Sequence, residues 1–251
     1  MVPRMSVVLE SLRDWLNAGL GLVYPEVCQL CGAARATPAE GFVCAGCLGK
    51  VKFIERPFCN RCGHPYQGEI TGQFECWACR ERELHFETAR AAVVAGEMML
   101  EVVHRYKYRG ESWLEPFLAE LLIRRAQPEL GAASWDFIVP VPLYPAKERE
   151  REFNQADRLA VRLAAATGIP VNRRLLRRVR PTRTQTVLSR AEREENMRDA
   201  FAMRRGQSLN GERIVVLDDV FTTGATTNAC AKALRRAGAA EVCVWTVARG
   251  T

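Results

Sequence analysis

The residues from 213 to 226 constrain the fold of this chain more than any other stretch. Residues 214–217 are β-branched and apolar, which is typical of a parallel strand buried on both faces. Two acids follow, and then a polar turn in which Gly224 supplies backbone freedom. Residues 225–237 are rich in alanine, have a basic end and are followed by Gly238, as helices often are. The pattern predicts a strand, a tight turn and a helix of an open α/β sheet.

The same turn predicts a binding site. Backbone N–H groups of the turn and of the first helical residues converge where the helix dipole is positive, which suits a phosphate. Asp218 and Asp219 would repel a phosphate, but their carboxylates suit the hydroxyls of an attached sugar, so the ligand is predicted to be a phosphorylated ribose. The segment also resembles the loop of type I phosphoribosyltransferases that holds 5-phosphoribosyl 1-pyrophosphate. The alternative is a doubled acid at a strand end in some other open α/β sheet.

Four C-x-x-C pairs lie between residues 28 and 79 and predict bound metal. A C-x-x-C turn points two thiolates at one tetrahedral ion, and a second pair closes the shell. Glycine follows Cys31 and Cys62, as in a knuckle turn, so each site is predicted to join one such pair with the next plain pair. We predict one zinc ion bound by Cys28, Cys31, Cys44 and Cys47, and a second bound by Cys59, Cys62, Cys76 and Cys79. Both sites would be closed and structural, and the alternatives are interleaved pairing and an iron–sulfur cluster.

Bulk properties narrow the class of protein. The chain has 251 residues, is 48% hydrophobic and carries a net charge of +7, so it should fold into globular domains and favour anionic partners. No signal peptide or apolar run long enough to cross a bilayer is evident, which predicts a cytoplasmic protein without an integral membrane segment. A reducing compartment disfavours disulfides, so the paired cysteines are assigned to metal. Nothing in the sequence predicts an oligomeric state.

The predicted organisation has three parts. Residues 1–23 hold an amphipathic helix that packs on the protein or, alternatively, lies on a membrane surface. Residues 24–84 form a double zinc ribbon, and residues 85–251 form an α/β domain with a mainly parallel sheet and helices on both faces. Strands are predicted at 88–95, 136–142, 214–217 and 241–247, and helices at 98–108, 113–125, 154–166 and 225–237. The arginine-rich residues 173–200 are either a solvated loop or a flap over an anionic ligand.

Several motifs together resemble the ComF family of phosphoribosyltransferase-like competence proteins. The resemblance covers nearly the whole chain and rests on the cysteine pairs, residues 106–110, 139–143, 153–156, 183–186 and 196–201, and the Asp-Asp/Thr-Thr-Gly loop. The family usually reads Arg-Gly-Phe-Asn-Gln where this chain has Glu152 in place of the glycine. The resemblance implies a type I phosphoribosyltransferase-like fold and a role in DNA uptake during natural transformation.

Residue roles follow from the ligand. The 5′-phosphate is assigned to Thr222, Thr223, Gly224, Ala225 and Thr226, and the ribose hydroxyls to Asp218 and Asp219. In phosphoribosyl transfer, charge on the departing pyrophosphate must be neutralised by Mg²⁺ and by basic side chains. The loop after residues 139–142 is predicted to supply Lys147, Arg149 and Arg151, and Lys107 is a candidate second clamp that joins the two acids as a catalytic residue.

Three functions remain open at this point. The first is a phosphoribosyltransferase with an unidentified acceptor. The second is a non-catalytic ligand sensor or DNA-handling adaptor that binds the phosphoribosyl compound without turnover. The third is a zinc-ribbon module that binds nucleic acid and retains a vestigial pocket. The predicted partners are phosphoribosyl pyrophosphate and either single-stranded DNA or other competence proteins.

Overall fold

The chain divides between Lys50 and Val51 into two units. The computed structural model describes residues 26–70, 72–131, 133–181, 192, 197 and 199–250. The amphipathic helix predicted within residues 1–23 and most of the arginine-rich segment after residue 181 lie outside the described residues. Within the described part, none of the helices combines the length and apolar character that a membrane span needs.

The first unit is described from residue 26 and holds little regular structure. It contains a 3₁₀ turn at Pro38–Glu40, helix α1 at Ala45–Leu48 and an antiparallel bridge between Val27 and Arg35. Its buried apolar side chains are Cys28, Ala36, Val43, Cys44 and Cys47. Three of these five are cysteines of the predicted metal site, so a bound ion, rather than an apolar core, would supply most of the folding energy of this unit.

The second unit contains a parallel sheet. Its strands are β1 (Thr88–Val94), β2 (Phe137–Pro140), β3 (Leu176–Arg178), β4 (Phe201–Met203), β5 (Arg213–Phe221) and β6 (Glu241–Arg249). Four of them form one sheet in the order β1-β6-β5-β2, and every neighbouring pair in it is parallel. The short strands β3 and β4 form a separate antiparallel pair. All carboxyl ends of the main sheet therefore meet at one edge, where ligands of such sheets bind.

Helices cover both faces of the sheet. They are α2 (Trp77–Arg80), α3 (Glu97–Tyr108), α4 (Glu115–Gly131), α5 (Pro145–Arg151), α6 (Gln155–Thr167) and α7 (Ala225–Arg236), with a 3₁₀ turn at Ser112–Leu114. Helix α7 packs with Ile214, Val216, Val242 and Val244, whose side chains point to one face, while α4 and α6 pack on each other and on the other face. The predicted mainly parallel sheet with helices on both faces is confirmed.

Two local expectations need correction. The strand predicted at 214–217 continues to Phe221, because Asp218, Val220 and Phe221 still pair with β6. The two acids, which were expected to end the strand, therefore lie before its last two residues. The basic residues expected in a loop after β2 lie on α5, which begins at Pro145, a residue suited to the first turn of a helix.

Candidate functional site

A cavity of about 950 Å³ opens at the carboxyl ends of β2 and β5. Helices α3, α5 and α6 and the start of α7 complete its wall. The predicted site residues that line it are Lys107, Lys147, Arg151, Asp218, Asp219, Thr222, Gly224, Ala225 and Thr226. Thr223 and Arg149, which were also predicted, are not among its lining residues. The sheet thus brings most of the predicted residues to one place, although they are far apart in the sequence.

The two acids differ in their partners. Asp219 is buried, and its Oδ1 lies 2.8 Å from Nζ of Lys107. Asp218 faces the cavity, and its carboxylate accepts the backbone N–H of Asp219 at 2.9 Å. Burial and the neighbouring negative charge of Asp219 raise the pKa of Asp218 to about 7. Asp218 is therefore the carboxylate whose charge changes near neutral pH.

Lys107 is the cation of this group. Burial acts to lower the pKa of Lys107, but the carboxylates of Asp219 and Asp218 outweigh it, and the pKa lies above its usual value. The ammonium therefore stays charged at neutral pH. It offsets part of the repulsion between the two acids, which are otherwise held side by side in a poorly hydrated setting.

The turn after β5 has the geometry of an anion cradle. The strand ends at Phe221 and α7 begins at Ala225, so three residues make the connection. Gly224 has φ 78° and ψ 4°, in the left-handed region that favours glycine. A Cβ at this position would lie 2.4 Å from Cζ of Phe221. The backbone therefore approaches the cavity in a conformation that another residue could adopt only with strain, next to the positive end of a helix of 12 residues.

The opposite wall is basic and polar. The guanidinium of Arg151 stacks on the ring of Tyr108 at 4.6 Å and donates from Nη1 to Oε1 of Gln155 at 3.1 Å. Gln155 is 2% exposed and lines the cavity. Two buried donors, Nε2 of Gln155 and Nε of Arg151, lack hydrogen-bond partners within the described residues. Buried donors of this kind are normally satisfied, so they indicate a ligand with acceptor oxygens.

Gln155 and Tyr108 line the cavity although the sequence pattern does not predict them as site residues. The sequence signal that could have placed Gln155 at the start of a helix is the preceding Asn154, a residue type that often caps helices. In the structure the side-chain oxygen of Asn154 accepts the N–H groups of Ala156 and Asp157 as the N-cap of α6. Glu152, which replaces the family glycine, has φ 64° and sits at the end of α5 in the left-handed region. This backbone explains why glycine suits the position, and Arg151, the residue before Glu152, lines the cavity.

The eight paired cysteines form two clusters with the predicted sequential pairing. Cys28, Cys31, Cys44 and Cys47 form one, Cys59, Cys62, Cys76 and Cys79 form the other, and within each cluster all the sulfurs lie within 4.8 Å of one another. Sulfur–sulfur distances of 3.5 to 3.9 Å in the second cluster match the spacing of about 3.8 Å that a tetrahedral zinc site requires. Within the described residues these are the groups of three or more side chains that could hold a metal.

The environment of the thiols also fits a metal ion. Burial raises the pKa of Cys79 and of Cys47 to about 12 each, because a thiolate without a cation is unfavourable there. Backbone N–H groups point at sulfur in both clusters: Cys44 donates to Cys28 at 3.4 Å and Cys76 to Cys59 at 3.3 Å. Such donors orient thiolate ligands around zinc. The two clusters therefore support two zinc sites.

Metal analysis should find two equivalents of zinc per chain. Replacing Cys59 and Cys62 by serine should reduce this to about one, because the first cluster lies in a separate unit and keeps its four ligands. The measurement is elemental analysis of the purified protein by inductively coupled plasma mass spectrometry. One equivalent in the unaltered protein, or none in the double variant, would contradict two independent sites.

Comparisons with known proteins give a matching family model and several similar proteins. The family model of the double zinc ribbon domain matches residues 19–81. Competence protein ComFC of Bacillus subtilis is 29% identical, over 82% of this chain and 84% of that protein. A solved glutamine phosphoribosylpyrophosphate amidotransferase from B. subtilis is similar to 51% of this chain, with 29% identity, a TM-score of 0.33 and 24% of its own length covered. Competence protein F of Haemophilus influenzae is 32% identical, over 84% of this chain and 92% of that protein. The chain therefore belongs to the competence protein F (ComF) family.

Proposed function

We propose that this chain binds 5-phosphoribosyl 1-pyrophosphate with Mg²⁺ and transfers the phosphoribosyl group to an acceptor during DNA uptake in natural transformation. One observation carries the proposal. The carboxylates of Asp218 and Asp219 and the turn that leads into α7 line the same cavity at the carboxyl end of β5. This arrangement offers acceptors for vicinal hydroxyls directly beside donors for a phosphate.

The 5′-phosphate would bind at the turn. Backbone N–H groups there, with the hydroxyls of Thr222 and Thr226, would donate to the phosphate oxygens, and both threonines line the cavity. The ribose hydroxyls would then reach Asp218, the cavity-lining acid that is not the ion-pair partner of Lys107. Because its pKa is about 7, Asp218 is ionised and accepts these hydrogen bonds best above neutral pH.

The leaving pyrophosphate would face the basic wall. Lys147, Arg151 and the amide of Gln155 line the cavity there and can donate to its oxygens. Mg²⁺, when bound, would neutralise part of the pyrophosphate charge, and the carboxylate of Asp218 is a suitable oxygen ligand for it. The role predicted for Arg149 stays a prediction.

These residues suggest how the chain would promote transfer. As the bond from the anomeric carbon to pyrophosphate breaks, positive charge develops on the ribose and negative charge on the leaving oxygen. The carboxylates of Asp218 and Asp219 would stabilise the ribose, and Lys147 and Arg151 would stabilise the pyrophosphate. The acceptor would enter from the side of the cavity formed by apolar and aromatic residues, which are Leu100, Val103, His104, Leu143 and Tyr144. A planar, weakly polar group fits that lining.

The relatives suggest the setting. Two of them are named competence proteins, which supports a role in DNA handling, and the net charge of +7 favours an anionic partner. We propose a cytoplasmic protein that meets incoming single-stranded DNA or another competence protein.

A second candidate function is binding of the same ligand without turnover. The observation that favours it is the ion pair of 2.8 Å between Lys107 and Asp219, which occupies one of the two carboxylates. A ligand held mainly by Asp218 and the phosphate turn would bind, but the site would not stabilise the transition state of transfer. Such a protein would act as an adaptor that reports the level of phosphoribosyl pyrophosphate.

Replacing Asp218 by asparagine should weaken binding of phosphoribosyl pyrophosphate at pH 8 by about tenfold or more, because it removes a charged acceptor of two hydrogen bonds. Isothermal titration with Mg²⁺ present measures this. The control is Asp136→Asn, at the amino end of β2, where the amide oxygen can still accept the N–H of Arg213. Equal affinities of the two variants would refute the assigned ribose site.

Turnover needs its own measurement. The unaltered protein should release pyrophosphate from the same ligand when the correct acceptor is present, so nucleobases, nucleotides and single-stranded DNA are screened together. Tight binding without pyrophosphate release for any acceptor would favour the sensing function. Absence of binding would reject both candidates.

A further inference from the structure

We propose that Arg82 and Arg249 are positioning residues that make the phosphate-binding turn depend on the metal ion of the second cysteine cluster. In this view the second zinc site sets ligand affinity as well as supporting the fold, while the first site does not. The inference rests on the proposed function for its ligand, but the coupling itself concerns residues of this chain alone.

The first link joins Arg82 to the turn. Arg82 follows Cys79 by three residues, and its backbone N–H donates to the carbonyl of Cys79 at 3.3 Å. Its Nη1 donates to the carbonyl oxygen of Thr223 at 2.7 Å. The guanidinium of Arg82, just after the helix that contains Cys79, therefore holds one carbonyl of the turn.

The orientation of that carbonyl matters for the cavity. In a planar trans peptide the C=O of Thr223 and the N–H of Gly224 point in opposite directions. Thr223 does not line the cavity, whereas Gly224 does. By drawing the carbonyl of Thr223 to itself, Arg82 keeps the N–H of Gly224 directed away from Arg82, as a phosphate-binding turn requires.

The second link is Arg249 at the end of β6. Its Nη2 donates to Sγ of Cys62 at 3.2 Å, and its guanidinium stacks on the ring of Phe221 at 4.5 Å. Arg249 is 6% exposed, and its Nε and Nη1 lack hydrogen-bond partners within the described residues. The sulfur of Cys62 is therefore a principal polar anchor of this buried cation.

Phe221 lies between Arg249 and the turn and contacts both. Its Cζ is the atom that a Cβ at Gly224 would meet at 2.4 Å, so ring and turn are in close contact. The ring also packs edge-on against Phe86 at 6.1 Å. A shift of Cys62 would move Arg249, and with it the ring that supports the turn from behind.

A third link fixes the start of α7. The backbone N–H of His85 donates to Oδ1 of Asn228 at 2.7 Å, and Nδ2 of Asn228 donates to the carbonyl of Glu83 at 3.0 Å. Asn228 lies in the first turn of α7, the helix whose N-terminus faces the cavity. The segment that leaves the second cluster thus holds the turn and the helix together.

Through these contacts the metal ion of the second cluster would affect the phosphate-binding turn. A zinc ribbon has little apolar core, so the positions of Cys62, Cys79 and the residues after them depend on the bound ion. Because the turn is held through those positions, loss of the ion should loosen it. Zinc binding and ligand binding are then linked, and by reciprocity ligand should strengthen retention of the second zinc.

The decisive variant is Arg82→Ala, matched by Arg80→Ala, an exposed arginine on α2. We expect Arg82→Ala to keep two zinc ions, to weaken ligand binding about tenfold and to speed backbone hydrogen exchange across residues 221–228. Arg80→Ala should change none of these. Arg82→Lys should recover part of the protection, because an ammonium can still donate to the carbonyl of Thr223.

The metal is tested with one variant in each cluster. Cys62→Ser should speed exchange across residues 221–228, whereas Cys31→Ser, in the separate first unit, should leave that exchange unchanged. If Cys62→Ser does not fold, the pair Arg82→Ala and Arg80→Ala decides. Exchange of residues 221–228 in Arg82→Ala equal to that of the unaltered protein would overturn the proposal.

Hydrogen exchange also separates this inference from the proposed function. If the unaltered protein does not bind phosphoribosyl pyrophosphate, the function fails, and the exchange of residues 221–228 in the same variants still decides the coupling. If the ligand binds equally well to Arg82→Ala and to the unaltered protein, the function stands and the coupling fails.

Discussion

Replacing Lys107 by methionine is expected to lower the free energy of unfolding by about 3 kcal/mol at pH 8. Methionine keeps the length and the apolar stem of lysine but removes the ammonium that lies 2.8 Å from Asp219. The variant then retains two neighbouring carboxylates, one of them buried, without their cation. Urea unfolding followed by circular dichroism measures the change.

The pH dependence of this loss distinguishes charge from packing. In the unaltered protein the folded state keeps a proton on Asp218 up to about pH 7, whereas the unfolded carboxyl loses it near the usual aspartate pKa of 3.8. The folded state therefore binds more protons within this window, and its stability falls as pH rises from about 4 to 7. Without Lys107, which acts to lower the pKa of Asp218, this carboxyl keeps its proton to higher pH, so the deficit should be small at pH 5 and largest at pH 8.

Two further variants complete the test of Lys107. Lys52→Met, at an exposed position, serves as the control for loss of a lysine charge. Combining Lys107→Met with Asp219→Asn should recover most of the lost stability, because the uncompensated buried charge is then absent. A loss of the same size at every pH, or no recovery in the combined variant, would show that Lys107 acts through packing alone.

Gly224→Ala should weaken binding of phosphoribosyl pyrophosphate by about 100-fold and lower the free energy of unfolding by about 2 kcal/mol. Alanine is strained at φ 78°, and its Cβ would lie 2.4 Å from Cζ of Phe221. The ring has little room to retreat, since it is 4% exposed and packs against Arg249 and Phe86. The turn must move instead, and the N–H groups that converge on the phosphate lose their alignment.

Titration calorimetry and urea unfolding together measure this effect. The control is Gly72→Ala, because a Cβ at Gly72 meets nothing within 4 Å. Adding Phe221→Leu to Gly224→Ala should remove the clash but leave the backbone strain, so the double variant should bind better than Gly224→Ala and worse than the unaltered protein. Unchanged affinity in Gly224→Ala would exclude this turn as the phosphate site.

The parts of the molecule that follow from local sequence were predictable. The strand, turn and helix around Gly224 depend on neighbours in the chain, and so do the C-x-x-C turns. The sequence predicts too early an end for β5 because a pair of acids is expected to end a buried strand, whereas pairing of Asp218, Val220 and Phe221 with β6 continues it. Helix α5 was missed because its charged residues have no apolar stripe, and none of them is buried.

The wall of the cavity was less predictable because it is a product of tertiary packing. Nothing in the sequence pairs Lys107 with Asp219, or places Tyr108 under the guanidinium of Arg151. Gln155 is polar and stands in the first turn of a helix, a setting typical of exposed residues, and only the packing of α6 makes it 2% exposed. The division of the chain at residues 23 and 84 stays a prediction, and the structure divides it between Lys50 and Val51.

The position of β6 has a consequence for the order in which this protein can be built during synthesis. Strand β6 is the last of the described strands in the chain, yet it lies between β1 and β5. On the ribosome β1 therefore emerges long before its partner, and the sheet cannot close until β6 follows. Arg249 and Cys62, which touch, are 187 residues apart. The second cluster, Cys59, Cys62, Cys76 and Cys79, can bind zinc while the residues up to β6 are still being synthesised. The ion would then act as an early local nucleus on which a fold dominated by distant contacts is later completed.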